Sequence, residues 1–157
     1  MSVLALNKRA SYDYEFLEKF TAGIVLSGKE VKAAKGGLAN LKGSFVVFRS
    51  SGKVRPEAYL INSYIGHYRC AAKPESYDPE APRKLLLKRQ EIASLVGKKQ
   101  EKGLTLVPIK LYTERSLIKL EFAIARGKKS FDKRRAIKDR ELKRGLKSIR
   151  QSGSIKD

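Results

Sequence analysis

Apolar residues along this chain recur mostly at every second position or in short unbroken runs that end at Gly, Pro, Ser or charged residues, the pattern of short strands joined by turns. Residues 1–11 carry no such pattern and read as a short, irregular start. Residues 12–26 hold Tyr14, Phe16 and Phe20, then Gly23-Ile24-Val25-Leu26, which predicts a strand with a bulge or bend near the glycine. Ser27 is placed to cap a short helix over 28–35, with Val31 and Ala34 on one face, Lys29, Lys32 and Lys35 outward, and Gly36-Gly37 as the stop. Residues 44–49 and 57–65 are rich in strand formers and flank the turn Ser50-Ser51-Gly52-Lys53, a hairpin. Pro74, Pro79 and Pro82 break residues 66–83 into a long loop. Beyond it Leu85, Leu86, Ile92, Leu95 and Val96 fall at helical spacing beside Lys84, Lys88, Arg89 and Glu91, predicting an amphipathic helix over 85–97. A second hairpin follows, with residues 104–112 and 117–125 alternating around a turn at 113–116 and Ile118, Leu120, Phe122 and Ile124 facing inward.

Short strands interrupted by helices in a small chain predict a mainly β fold with helices: a small, partly closed antiparallel barrel of the oligonucleotide-binding type with flanking helices, since closure hides strand edges. Charge then divides the chain. It has 157 residues, 35 Lys or Arg against 16 Asp or Glu, and a formal net charge of +19. Residues 126–157 hold 13 Lys or Arg against 4 Asp or Glu, with scattered apolar residues at Phe131, Ile137, Leu142, Leu146 and Ile149. So charged a segment buries too little apolar surface to offset the entropy of ordering itself. The expected division is therefore a barrel domain over 1–125 and a basic tail over 126–157. The tail is disordered when free and becomes helical on a polyanion, through the Leu142, Leu146, Ile149 stripe.

Chemistry narrows the choice further. No run reaches the ~20 apolar residues of a membrane span, and residues 1–10 lack the apolar core of a signal peptide, so a cytoplasmic location without membrane contact is expected. One cysteine, Cys70, allows no internal disulfide. His67 and Cys70, even with Glu75 or Asp78, are too few ligands for structural zinc, so neither metal nor cofactor is expected. The linear pattern supplies no nucleophile, base and orienter together, and no GxGxxG, GxxxxGK[ST] or HExxH motif occurs, which argues against an enzyme. What is left is basic residues interleaved with tyrosines, a composition suited to RNA. Tyr14, Tyr64, Tyr68, Tyr77 and Tyr112 are candidates to stack on bases, although each suits core or cross-strand packing, and the lysine face of the 28–35 helix also suits plain solvation. Composition alone leaves a ribosomal protein with a basic extension as an alternative.

Five pieces, in order, carry a resemblance: Asn7-Lys8-Arg9-Ala10; AGIVLSGKEVK at 22–32; RKLLL at 83–87; TLVPIKLY at 105–112; and ARGKK at 125–129 followed by FDKR at 131–134. Together they resemble the small protein B, or SsrA-binding protein, family of bacteria, the partners of transfer-messenger RNA in rescuing stalled ribosomes. The resemblance implies an oligonucleotide-binding-like barrel that holds the tRNA-like part of that RNA, and a monomer with no catalytic role. It implies that Asn7, Tyr14, Gly23, Lys84 and Leu86 lie at the RNA or near the decoding centre, and the candidate set adds the neighbouring Lys8, Arg9, Lys29, Lys32, Arg83 and Lys88. In the tail, Gly127, Asp132, Lys133 and Arg134 match positions that enter the empty messenger channel, joined by Lys128, Lys129, Arg135, Lys138, Arg140, Lys143 and Arg144. The second implied partner is therefore the ribosome, at the rRNA of its decoding centre and messenger channel. Thr21, Lys88, His67 and Phe131 depart from the family's usual residues; a lysine at 88 can serve by reaching phosphate.

Overall fold

In a computed structural model, which describes residues 1–50, 52, 55–68 and 77–153 (backbone alone for 130–132, 136 and 148–153), thirteen elements follow one another. They are β1 (Ser2–Leu6), α1 (Ala10–Asp13), β2 (Tyr14–Ile24), α2 (Gly28–Lys35), β3 (Ala39–Asn40), β4 (Phe45–Arg49), β5 (Glu57–Ile61) and β6 (Tyr64–Ile65), then β7 (Arg83–Leu86), α3 (Arg89–Lys99), β8 (Leu104–Glu114), β9 (Leu117–Gly127) and α4 (Ser130–Gly153). Seven strands form one antiparallel sheet in the order β1-β8-β9-β2-β7-β5-β4, and β3 pairs with β6 in a two-stranded ribbon. Phe45 on β4 packs near Val107 on β8, so the sheet curls back on itself as a partly closed barrel. The fold is the mainly β barrel with flanking helices that the patterning predicts.

Alternation places the core. Ile118, Leu120, Phe122 and Ile124 of β9 all face it, with Leu106 and Leu111 of β8, Leu60 of β5 and Leu85 of β7. Turning β8 into β9 requires positive φ at both Arg115 (48°) and Ser116 (69°), the geometry whose twist matches the two flanking strands. Pro108 sits inside β8 where the register slips between Pro108 and Lys110, a bulge that spares the ladder a missing donor.

Several expectations are corrected. The bulge in β2 lies at Leu17, not near Gly23: Phe16 pairs with Ala125 and Glu18 with Ile124. Successive residues of β9 face opposite sides of the sheet. The extra residue therefore sends Phe20, Ala22 and Ile24 to the main core and Tyr14 and Phe16 to a smaller cluster with Ala10, Val107, Ala125 and Phe45. The start is not irregular, because Ser2–Leu6 is an edge strand on β8 and Ala10–Asp13 a single helical turn. The helix expected over 85–97 begins late: Arg83–Leu86 is a strand hydrogen-bonded to β2 on one side and β5 on the other, and the helix occupies Arg89–Lys99. Glu91 fixes that start by accepting the Lys88 backbone N–H at 2.9 Å. The helix over 28–35 forms as expected, with the Ser27 hydroxyl accepting from the Glu30 N–H at 3.2 Å. Residues 57–65 divide at Asn62 (φ 59°), so Tyr64–Ile65 joins the small ribbon. Ser51, Lys53, Cys70, Pro74 and Glu75 lie outside the described residues, as do the side chains of Phe131, Asp132 and Ile149.

β9 continues past residue 125, with Arg126 paired to Glu15 and Leu104 and Gly127 paired to Tyr14. Residues Ser130–Gly153 then form one helix, the conformation expected of the bound tail.

Candidate nucleic-acid interface

Asn7 ends β1 and is buried. Its Nδ2 donates to the Pro108 carbonyl at 3.0 Å, its Oδ1 accepts from the Ala10 N–H at 3.3 Å, and its own N–H donates to the Ile109 carbonyl at 2.8 Å. It thus pins the chain to β8 and starts α1. Around it opens a cleft of about 200 Å³ lined by Arg9, Tyr14, Lys42, Ser44, Phe45 and Val107 among others. Arg9 is exposed and pairs with Asp13 at 3.2 Å, and Lys8 is exposed beside it. Two cations and two rings at one cleft suit phosphate and base together. Lys42 and Phe45 were not singled out in the sequence; the run Leu41-Lys42-Gly43-Ser44 offers only turn chemistry, and Gly43 takes φ 75° there.

A second group gathers at the other end of β2. Gly23 stands opposite Leu86 in the β2–β7 ladder, and a Cβ built on Gly23 would lie 3.4 Å from the Leu86 Cβ. The glycine leaves room for Leu86, which is 56% exposed although strongly apolar. Lys84, on the same outward face of β7, donates to Glu57 Oε1 at 3.0 Å, and the Tyr59 hydroxyl donates to Glu57 Oε2 at 2.8 Å. Those hydrogen bonds, from Tyr59 first and then Lys84, hold the Glu57 carboxyl below its usual range, while the bond to Glu57 raises Lys84. The exposed Lys29 and Lys32 project from α2, and Lys32 Nζ lies 5.8 Å from the centre of the Tyr68 ring. Lys88, exposed, precedes α3. Tyr14 and Gly23 are nine residues apart on one strand, so the two groups sit roughly 30 Å apart.

Arg83 does not belong to the exposed set. It is 3% exposed, and its guanidinium donates to Glu30 Oε2 at 3.0 Å, to the Ser63 carbonyl and hydroxyl at 3.0 and 3.1 Å, and to the Pro79 carbonyl at 2.9 Å. Alternation on β7 turns Arg83 inward with Leu85, leaving Lys84 and Leu86 outward. Arg83, named among the RNA-binding candidates, is thus enclosed in the fold instead of standing on the exposed face. Among the other tyrosines, Tyr112 is buried and Tyr77 half-buried with its hydroxyl on the Ile65 carbonyl at 2.7 Å, burial raising its pKa, whereas Tyr64 is exposed.

The root of the tail is moored. Lys128 N–H donates to the Asp13 carbonyl at 2.9 Å, Lys128 Nζ donates to the Ser11 carbonyl at 2.9 Å, and Lys133 Nζ lies 3.5 Å from Asp13 and 6.0 Å from the centre of the Tyr12 ring. Beyond it Arg134, Arg135, Lys138, Arg140, Lys143 and Arg144 are exposed along α4, as is Lys129 before it, and so are Ile137, Leu142 and Leu146. Among the described residues no cluster of three or more His, Cys, Asp or Glu could hold a metal, and no helix is long and apolar enough to cross a membrane.

Comparison with known proteins identifies the family. The family described as SmpB protein matches residues 4–152. The SsrA-binding protein of Sulfurihydrogenibium sp. (strain YO3AOP1) is 47% identical over 144 residues, which is 92% of this chain and 91% of that protein. That of Persephonella marina (strain DSM 14350 / EX-H1) is 45% identical over 156 residues, 99% of this chain and 98% of its own. A solved chain described as "tmRNA-SmpB: a journey to the center of the bacterial ribosome" superposes with a TM-score of 0.64 at 44% identity, covering 80% of this chain and 84% of that one. A match that runs from β1 into α4, at this identity and with the same fold, places the chain in one family: it belongs to the SmpB protein family.

Proposed function

We propose that this chain is a non-catalytic RNA-binding factor that binds the tRNA-like domain of transfer-messenger RNA and delivers it to stalled ribosomes for trans-translation, as a monomer in the cytoplasm. Family membership across residues 4–152, barrel and tail together, is the observation that carries this reading. The physical arrangement supports it. Arg9, Lys42 and Tyr14 at one end of β2, and Lys29, Lys32, Lys84 and Leu86 at the other, span a length that suits a folded RNA element better than a single nucleotide. Among the described residues no core residue lies beyond Ala125, so the barrel and the tail, divided near 125/126, can serve two partners. The tail, disordered in the free protein, becomes helical in the empty messenger channel, with Arg134, Arg135, Lys138, Arg140, Lys143 and Arg144 against rRNA.

The test pairs two measurements on the full chain and on a chain ended after Gly127. Both should bind transfer-messenger RNA, with affinity falling steeply as salt rises, and only the full chain should support tagging on ribosomes stalled at a message's end. If the shorter chain lost most of its RNA affinity, or still rescued ribosomes, the division between barrel and tail would be wrong. A full chain that did not bind this RNA would overturn the function itself.

A further inference from the structure

We propose that Arg83 is a positioning residue, which through Glu30 sets the angle at which α2 presents Lys29 and Lys32 to RNA; this rests on the reading above that those lysines meet RNA. A guanidinium 3% exposed is costly unless every donor finds a partner. Here the partners come from three separate segments: Glu30 in the first turn of α2, Ser63 between β5 and β6, and Pro79 in the loop leading to β7. Pro79 O also accepts the Ile65 N–H at 3.0 Å, so the same contact secures the small ribbon. Glu30 is itself held at both ends, its N–H on the Ser27 hydroxyl and its carboxylate, 17% exposed, on Arg83.

What else holds α2 is short. Its buried residues are Ala33 and Ala34, with Val31 half-buried. Methyl groups let a helix approach closely, but they interlock little with the surface beneath and so fix its rotation weakly. A charge-assisted bond from the first turn to a rigid strand supplies the missing constraint. Lys29 precedes Glu30 and Lys32 follows two residues later, so a rotation that frees Glu30 swings both ammonium groups away from where they stand.

Four chains test this: wild type, Lys29→Ala/Lys32→Ala, Arg83→Met/Glu30→Leu, and the combination. Removing both partners leaves no orphaned buried charge, so the pair variant should fold, with a lowered melting temperature because the buried Ser63 carbonyl and hydroxyl lose their donor. Each chain is titrated into the labelled tRNA-like domain of transfer-messenger RNA. The expected result is that the pair variant binds about tenfold more weakly, yet costs no more than about twofold when the lysines are already absent, because coupled residues are non-additive. Unchanged affinity in the pair variant, or the same loss in both backgrounds, would overturn the inference. Wild-type affinity in the lysine-free chain would also overturn it while leaving RNA binding intact; only a wild-type chain that fails to bind counts against the function. Should the pair variant not fold, Glu30→Ala, which removes the acceptor for the Arg83 Nε and leaves the bonds from Arg83 to Ser63 and Pro79 in place, carries the same cycle with the same two deciding outcomes.

Discussion

At the scale of single residues, neighbours on one strand have unlike roles. On β7, Arg83 is enclosed while Lys84 stands in solvent, and Lys84 is already half-neutralised by Glu57. Glu57→Gln keeps one oxygen, enough for Tyr59 or Lys84 but not both, and removes the competing charge. Binding of transfer-messenger RNA should tighten about two- to threefold at low salt, with the gain fading as salt screens it, which a titration at two ionic strengths would check. The pH dependence has a definite sign. Because the Glu57 carboxyl is held below its ordinary value, the stabilisation from its contacts is present above the usual carboxylate range and is lost as pH falls through the lowered value.

Among the elements, those with one partner and one clear period were legible in the sequence, and those defined by distant neighbours were not. α2 and the β8–β9 hairpin form where cap, stop and alternation place them. β7 was read as helix because Leu85, Ile92 and Val96 happen to satisfy a helical period; what makes it a strand is the pair of free edges on β2 and β5 that it fills. The bulge at Leu17 was invisible for a related reason. Tyr14, Phe16, Phe20, Ala22 and Ile24 all fall on even positions, interrupted at Glu18, so the sequence keeps them in one register while the sheet divides them between two clusters. Of the candidate site, the lysines were readable, Gly23 and Leu86 came singly from the resemblance, and their pairing across β2 and β7 was not visible; nor was the burial of Arg83, since its acceptors on Glu30, Ser63 and Pro79 come together only in the fold. α4 yields a prediction of its own. A Cβ on Gly145 would meet no neighbour within 4 Å, so Gly145→Ala should favour the helix by about 1 kcal/mol and raise the helical circular dichroism of the free protein.

Considered whole, the molecule joins a hydrophobic barrel to a cationic arm that, among the described residues, adds nothing to its core. The last residue of either apolar cluster is Ala125, and what ties the arm down is a few bonds to Ser11 and Asp13. Ending the chain after Gly127 should therefore shift the melting temperature by less than about 3 °C, well inside the effect of a single lost core contact. Loss of cooperative unfolding in a calorimeter would show instead that the arm supports the barrel.

The mooring of the arm on α1 has a mechanical consequence. A helix of 24 residues is about 36 Å long at 1.5 Å per residue, and this one is held near its start by bonds to α1. It is a lever whose fulcrum, Asp13, lines the same cleft as Arg9 and Tyr14. A tilt of about ten degrees at that fulcrum sweeps the far end through roughly 6 Å, close to the 5.4 Å pitch of one helical turn. Once the arm is helical, a shift of Asp13 within the cleft would be magnified at the distant tip with no change inside the barrel.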